Sequence, residues 1–312
     1  MSKYKIYLLG AIAAVIILAV VPVITQREGT LTWFILTLLF IALAQSWNII
    51  GGFAGQINLG HAALFGFGAL VARIILPMGV PFVVAMLGGA LAAVVLALII
   101  GLPVFRLKGI YFVIGTLVLA EIMRNVFGNM FPNAFTLPMP MIAKYSMVNR
   151  YYVFLVVAII ATLACYLIRY SKLGLALMAL REEEDAAKTS GVNVARCKLI
   201  ALVFSAFLAG LAGGAFVYYA VGIHADYIFS PLWTFNSVVI VFVGGLGSII
   251  GPIIGAAFFV LLQEFFILFI PGGFHLIIFG LIFILIVIFL PGGLIQFADG
   301  IGNKIRMKYA AK

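Results

Sequence analysis

Long stretches of this sequence contain no charged residue. Residues 29–72, 227–263 and 265–298 each lack Asp, Glu, Lys and Arg. One membrane-spanning helix needs about 20 apolar residues, so each stretch can hold two helices joined by a Gly- or Pro-marked turn. Only 9% of all residues are charged, against about 25% in a soluble domain. The pattern predicts an all-α integral membrane protein and excludes a soluble globular enzyme.

We predict about ten transmembrane helices in a single polytopic domain that covers residues 1–312. The first is expected to remain uncleaved, because its apolar run is longer than that of a signal peptide. Strict alternation places both termini on one side of the membrane. The predicted spans lie near residues 6–26, 31–50, 60–77, 81–104, 109–131, 151–169, 199–222, 232–249, 252–270 and 274–291.

The basic residues are distributed unequally between the two sides. Of the 19 Lys and Arg residues, only Arg27, Lys144 and Arg150 fall in loops opposite the termini, and most of the others lie on the side of the termini. The positive-inside rule makes the richer side cytoplasmic, including a basic tail at residues 292–312. The formal net charge of +10 is therefore explained without a nucleic-acid partner.

A polar, glycine-rich segment interrupts the first long apolar stretch. Residues 51–61 contain Gln56, Asn58 and His61. Amide and imidazole groups cost free energy in apolar surroundings unless they form hydrogen bonds, and irregular backbone is tolerated there only beside protein or a water-filled cavity. One interpretation is a broken helix beside a transport pathway. The alternative is an ordinary turn whose glycines allow two helices to pack closely.

Residues 244–255 form a second glycine-rich interruption, in which Pro252 can occupy the first turn of a helix. Paired interruptions in the two halves of a chain can indicate a repeated transporter with its site at the repeat interface. Close helix packing is again the alternative. The residues to which we assign a packing role are Gly55, Gly60, Gly66, Gly244, Gly245, Gly247, Gly251, Pro252 and Gly255.

The longest hydrophilic stretch, residues 170–198, has the pattern of a short helix on the cytoplasmic surface. Leucines recur at helical spacing, Gly191 is suited to a left-handed stop, and Asn193 is suited to cap the next span. An acidic cluster, residues 182–185, favours either docking to a basic groove on a partner protein or a solvated loop.

The sequence lacks the usual catalytic and metal-binding motifs. No phosphate-binding loop, zinc-protease motif, pair of Cys ligands or serine-hydrolase motif is present, so we expect neither covalent catalysis nor a metal site. Glu121 and Arg124 lie three residues apart on the fifth span and are interpreted as a structural ion pair. Arg73, near the outer end of the third span, is expected to extend to the membrane interface.

Four segments resemble the membrane permease subunits of branched-chain amino acid ABC importers, specifically the LivM type. Residues 55–66, GQINLGHAALFG, are similar to a specific family motif, and residues 107–112, LKGIYF, to a second. Residues 173–198 resemble the family's cytoplasmic coupling loop. Residues 244–255, GGLGSIIGPIIG, are similar to its Gly-Pro signature. The resemblance covers the chain from about residue 40 to about residue 292, which is most of its length.

The resemblance implies an ABC importer permease fold in a bacterial or archaeal plasma membrane. It implies a second, LivH-like permease subunit, two ATPase subunits that use ATP, and a substrate-binding receptor, with no cofactor bound by this chain. Gln56, Asn58 and His61 would lie beside the pathway. The residues that would couple the chain to the ATPases lie in the loop at residues 170–198: Leu173, Gly174, Arg181, Glu182, Glu183, Asp185, Ala186, Ala187 and Gly191.

The expected substrates are leucine, isoleucine and valine. Family relatives for urea, short amides or other amino acids remain alternatives, because residues 132–140 differ from the glycine-rich segment that is frequent in the family at this place. An ion-coupled secondary transporter with Glu121, Asp226 or Glu264 at its site is a further alternative. A membrane-embedded enzyme would need a catalytic constellation that the sequence does not contain.

Overall fold

The computed structural model of the chain describes residues 3–25, 27–131, 135–136, 139, 142, 146–269, 274–290 and 292–296. The differing segment at residues 132–140 and the basic tail therefore lie largely outside the described residues. The helices, in chain order, are α1 (Lys3–Ile24), α2 (Glu28–Asn48), α3 (His61–Ile75), α4 (Phe82–Val104), α5 (Ile110–Met130), α6 (Met147–Arg169), α7 (Lys172–Glu182), α8 (Glu184–Thr189), α9 (Val194–Tyr219), α10 (Ala225–Ile228), α11 (Leu232–Gly244), α12 (Gly251–Phe269) and α13 (Phe274–Phe289).

Shorter elements connect these helices. A π-helical turn, Ile49–Phe53, extends α2, and a 3₁₀ turn, Leu76–Met78, follows α3. Strands β1 (Phe135–Thr136) and β2 (Gly222–Ile223) pair antiparallel. The remaining regular secondary structure of the described residues is helical, which confirms the predicted fold class.

Each of the ten predicted spans coincides with a helix. Among the described residues, eight helical segments are long and apolar enough to cross a membrane. The first and last predicted spans correspond to α1, whose described apolar part is Ile12–Ile24, and to α13, which has 16 residues. α1 as a whole has 22 residues, whereas α13 is shorter than the roughly 20 residues of a full span.

Two central helices organise the core. α2 is buried along most of its length and packs against α6, α9, α11 and α12, while α9 packs against α3 and α4. α5 is the least buried of the eight candidate spans. The core therefore lies around α2 and α9, and α5 lies at its edge.

Glycines allow α3, α4 and α9 to approach closely. A Cβ atom at Gly68 of α3 would collide with the backbone of Gly210 of α9, and one at Gly89 of α4 would collide with the carbonyl group of Gly68. Small residues at such contacts let helix backbones meet, which is the main source of packing energy between helices in lipid.

Two arginines that were expected near the membrane surface are buried. Arg73 donates from Nη2 to the carbonyl oxygen of Ala220 at 2.7 Å, and Arg150 donates from Nε to that of Tyr218 at 2.8 Å. The last carbonyl groups of a helix have no partner within the helix and attract cations. Both side chains therefore bind the carboxyl end of α9, and the expectation that Arg73 extends to the interface was wrong.

Candidate functional site

The first glycine-rich segment connects two spans and includes a change of helix type. The π-helical turn at Ile49–Phe53 ends α2, and the backbone N–H of Gln56 donates to the carbonyl oxygen of Ile50 at 3.0 Å. Gly55 has φ of +68°, a conformation that strongly favours glycine, and α3 begins at His61. π-helical turns occur frequently at functional sites.

The three polar residues of this segment have different surroundings. Asn58 is buried, accepts the amide hydrogen of Gly60 at 2.8 Å, and lines a small pocket with Thr116 of α5. His61 is also buried, and its Nε2 lies 2.7 Å from Oγ of Ser46. Gln56 is half-buried. Only Asn58 among the three lines that pocket, so the structure does not bring them together around one cavity.

The two glycine-rich segments meet at the end of α2. Asn48 donates from Nδ2 to the carbonyl oxygen of Ser248 at 2.8 Å and accepts the amide hydrogen of Gly247 at 3.0 Å. One turn earlier, Gln45 donates from Nε2 to the carbonyl oxygen of Ile249 at 2.7 Å. These bonds satisfy backbone groups between α11 and α12 that would otherwise have no helical partner.

The predicted starts of the eighth and ninth spans agree with the structure to within one residue, and the predicted end of the eighth span is five residues too late. α11 ends at Gly244 rather than at residue 249, because Gly245 has φ of +129°. α12 begins with Gly251 and Pro252, as the Pro252 prediction required. A Cβ atom at Gly255 would collide with the carbonyl group of Ile240, so α11 and α12 pack closely.

The hydrophilic stretch forms two short helices rather than one. Ser171 caps α7, and Glu183 has an extended backbone that separates α7 from α8. Gly191 has φ of +86°, and the side chain of Asn193 accepts the amide hydrogen of Arg196 at 3.0 Å at the start of α9. The stop and the cap are therefore as predicted, and the break at Glu183 was not anticipated.

The α7–α8 pair has one face against the spans and one face away from them. Leu177, Leu180 and Ala187 are buried, and a Cβ atom at Gly174 would collide with the carbonyl group of Ile168 at the end of α6. The exposed face of the pair includes the acidic residues Glu182, Glu183 and Asp185 together with Ala186. The predicted coupling residues thus divide into residues that anchor the pair and residues that are accessible to another protein.

Arg181 connects this helix pair to both glycine-rich segments. Its Nη1 donates to the carbonyl oxygen of Gly52 at 2.9 Å. A Cβ atom at Gly55 would lie 3.1 Å from its Cγ, and one at Gly247 would collide with its guanidinium group. We call the meeting point of Arg181, Gly52 and Gly247 the Arg181 junction.

An ion pair forms a second connection from the helix pair. Lys198 of α9 donates from Nζ to Oε2 of Glu184 at 2.6 Å, and the lysine is 6% exposed. A buried lysine needs a charged partner, so this contact fixes α8 to the first turn of α9.

The polar residues near the end of α2 were not predicted as site residues. Gln45 and Asn48 form hydrogen bonds with the second glycine-rich segment, whereas the predicted pathway residues were Gln56, Asn58 and His61. The sequence could have indicated them, because Gln45, Ser46 and Asn48 are polar residues in an uncharged stretch and lie just before residues 51–61.

Comparison with known proteins assigns the chain to a family. The family described as branched-chain amino acid transport system / permease component matches residues 28–287, which is more than half of the chain. The chain belongs to this permease family. The match includes α2 to α12, with both glycine-rich segments and the α7–α8 pair.

The permease is similar to two curated relatives. It is 27% identical over 330 aligned positions to the high-affinity branched-chain amino acid transport system permease protein LivM of Escherichia coli (strain K12), covering 94% of this chain and 75% of the relative. It is 26% identical, with the same coverage, to the protein of that name from Salmonella typhimurium (strain LT2). No solved structure matches it.

These findings confirm the LivM-type resemblance and the assignment to a transport permease rather than an enzyme. The permease is a multi-pass membrane protein with eight candidate spans in its described residues. Within those residues, no group of three His, Cys, Asp or Glu side chains is placed to hold a metal ion.

Proposed function

We propose that this permease forms the translocation pathway of an ATP-driven ABC importer for leucine, isoleucine and valine. The observation that carries the proposal is the Arg181 junction, where an accessible helix pair is hydrogen-bonded to the turn that ends α2 and lies against the turn that ends α11. A membrane subunit driven by a separate ATPase needs such a connection between its docking surface and its spans. The family match and the LivM relatives support the substrate class.

The proposed complex contains this chain, a second LivH-like permease, two ATPase subunits and a substrate-binding receptor. ATP would bind to the ATPase subunits. The α7–α8 pair would dock on an ATPase through Glu182, Glu183, Asp185 and Ala186, whose charge suits a basic groove. In this proposed arrangement the helix pair and both termini would lie in the cytoplasm, which the unequal distribution of basic residues supports.

The mechanism that we propose transmits ATPase closure along two connections. Movement of α7 would pull on Gly52 through Arg181 and thereby act on the π-helical end of α2. Movement of α8 would act on α9 through the ion pair of Glu184 and Lys198. Because α2 and α9 are the central helices, a displacement of both would rearrange the packing of the whole bundle.

The proposal that the polar segment contributes to the pathway rests on Asn58. Asn58 and Thr116 are the polar side chains of the pocket between α3, α4, α5 and α9. Neutral hydrogen-bonding groups of this kind suit a zwitterion, whose charges balance each other. Gln56 and His61 remain weaker candidates, because neither lines this pocket.

The test is reconstitution of the complete complex in proteoliposomes with ATP on the ATPase side. We expect receptor-dependent, ATP-dependent uptake of radiolabelled leucine that unlabelled isoleucine and valine inhibit. Urea, acetamide and other amino acids serve as competitors that distinguish the related substrates. Uptake by the purified chain alone in response to a sodium or proton gradient would instead establish a secondary transporter and refute the proposal.

A further inference from the structure

The outer surface of α5 carries a polar stripe within a membrane span. Glu121 and Arg124 form an ion pair with Nη1 and Oε2 3.6 Å apart, and both side chains are 41% exposed. Asn125 and Asn129 are exposed on the following turns. We call Glu121, Arg124, Asn125 and Asn129 the polar stripe.

The polar stripe lies deep in the span. Glu121 is the twelfth of the 21 residues of α5, so it lies about 16 Å from the start of the helix at Ile110, near the middle of a hydrocarbon core of about 30 Å. Ionisable residues at this depth almost always face a protein interior or a water-filled cavity. The exposed positions of α5 nearer Ile110, which include Ile114 and Val118, are apolar and suit lipid or another helix.

No other helix of the described chain satisfies the polar stripe. Asn125 donates from Nδ2 to the carbonyl oxygen of Glu121, and Asn129 donates to that of Asn125, each at 2.8 Å and each within α5. Most described contacts of α5 with the rest of the bundle use its opposite face, where Phe112, Thr116 and Ala120 are buried, and one turn after Arg124 Gly128 lies against the carboxylate of Asp226. Among the described residues, the stripe therefore lies on the exposed side of α5.

We infer that the polar stripe lines the aqueous pathway between this chain and the second permease, and binds the charged groups of a zwitterionic α-amino acid. Arg124 would bind the substrate carboxylate, Glu121 the ammonium group, and Asn125 and Asn129 would offer neutral hydrogen bonds. The inference rests on the proposed importer function.

The geometry of the ion pair suits this role. A charge-assisted hydrogen bond is about 2.7–2.9 Å long, so the separation of 3.6 Å makes this an ion pair without a short hydrogen bond. An α-amino acid carries both charges on groups attached to the same carbon and can bind the two groups at once. Pair and substrate are each neutral overall, so binding adds no net charge to the low-dielectric region. The stripe is separate from the Asn58 pocket, which lies against the opposite face of α5.

Cysteine accessibility in the reconstituted complex tests the inference. In a background with Cys165→Ala and Cys197→Ala, we would compare Asn125→Cys with Leu87→Cys, using a membrane-impermeant, charged methanethiosulfonate. Leu87 is an exposed residue of α4, five residues after Phe82, as Asn125 is five residues before Met130, so the two positions lie at matched depth in consecutive spans.

We expect Asn125→Cys to react at least an order of magnitude faster than Leu87→Cys, and its reaction to slow when receptor loaded with leucine is present with ATP. Equal, slow reaction at both positions would mean that lipid or another helix covers the stripe, and would overturn the inference.

Glu121→Gln should abolish leucine uptake per assembled complex, and Glu121→Asp should restore part of it. Normal uptake by Glu121→Gln would also overturn it. Failure of the unmodified complex to take up leucine would instead refute the importer function, whatever the labelling result.

Discussion

Arg181 donates a hydrogen bond from Nη1 to the carbonyl oxygen of Gly52, 2.9 Å away and 129 residues distant in sequence. The contact joins a surface helix to the end of the most deeply buried span. It also lies beside Gly247, which Asn48 binds from the same span. A single side chain thus connects the hydrophilic helix pair with both glycine-rich segments.

Replacement of this side chain should uncouple ATP hydrolysis from transport. Arg181→Ala removes the donor to Gly52, a charge-assisted bond that contributes about 1 kcal/mol at a partly exposed site. We expect fewer leucine molecules transported per ATP hydrolysed, measured in proteoliposomes. Arg196→Ala, at an exposed arginine on the same side of the bundle, is the control and should leave the ratio unchanged. Equal ratios for the two variants would contradict the proposed role of Arg181.

Loss of Glu184 should destabilise the permease through Lys198. Glu184→Gln leaves the buried ammonium group without its carboxylate, and we expect the free energy of unfolding to fall by about 1–2 kcal/mol, a value reduced because Glu184 is more than one third exposed. Thermal unfolding in detergent measures the effect. Glu183→Gln, at an exposed position, should have little effect on stability.

A double variant provides a sharper test of this ion pair. Lys198→Met in the Glu184→Gln background removes the buried charge and should recover most of the lost stability. If the double variant is as unstable as the sum of both single changes, the two side chains do not interact as the structure indicates.

The close contact of α3 with α9 should not tolerate a methyl group. Gly68→Ala places a Cβ atom against the backbone of Gly210, and such overpacking costs about 1–3 kcal/mol. Gly280→Ala in α13 is a matched control, because a Cβ atom there meets no atom within 4 Å and alanine favours a helix. A lower unfolding temperature is expected for Gly68→Ala alone. Identical temperatures for both variants would show that α3 and α9 are farther apart than the structure indicates.

Asn58 should affect both local structure and transport. Asn58→Leu removes the acceptor for the amide hydrogen of Gly60, at a cost of about 1–3 kcal/mol. Asn58→Asp retains an acceptor at the same position and serves as a structural control. If Asn58 lies on the pathway, both variants reduce leucine uptake per assembled complex, because one removes a polar group and the other introduces a charge. Normal uptake kinetics in Asn58→Leu would exclude Asn58 from the pathway.

The sequence by itself determined the local elements of this permease. Whether a stretch of about 20 residues forms a membrane helix depends on its own transfer free energy, so the spans could be placed from composition alone. The cap at Asn193, the stop at Gly191 and the helix start at Pro252 are equally local, since each depends on one residue and its nearest neighbours in the chain.

Only the tertiary structure decided how these elements meet. Arg150 was expected in a loop and Arg73 at the membrane interface because of their places near span ends, but the carboxyl end of α9 offers carbonyl oxygens that bind both when buried. The bond from Gly247 to Asn48 joins residues 199 positions apart. Contacts over such distances depend on which helices pack together, and packing in a membrane is governed by shape and by a few polar bonds, which single-residue patterns do not encode.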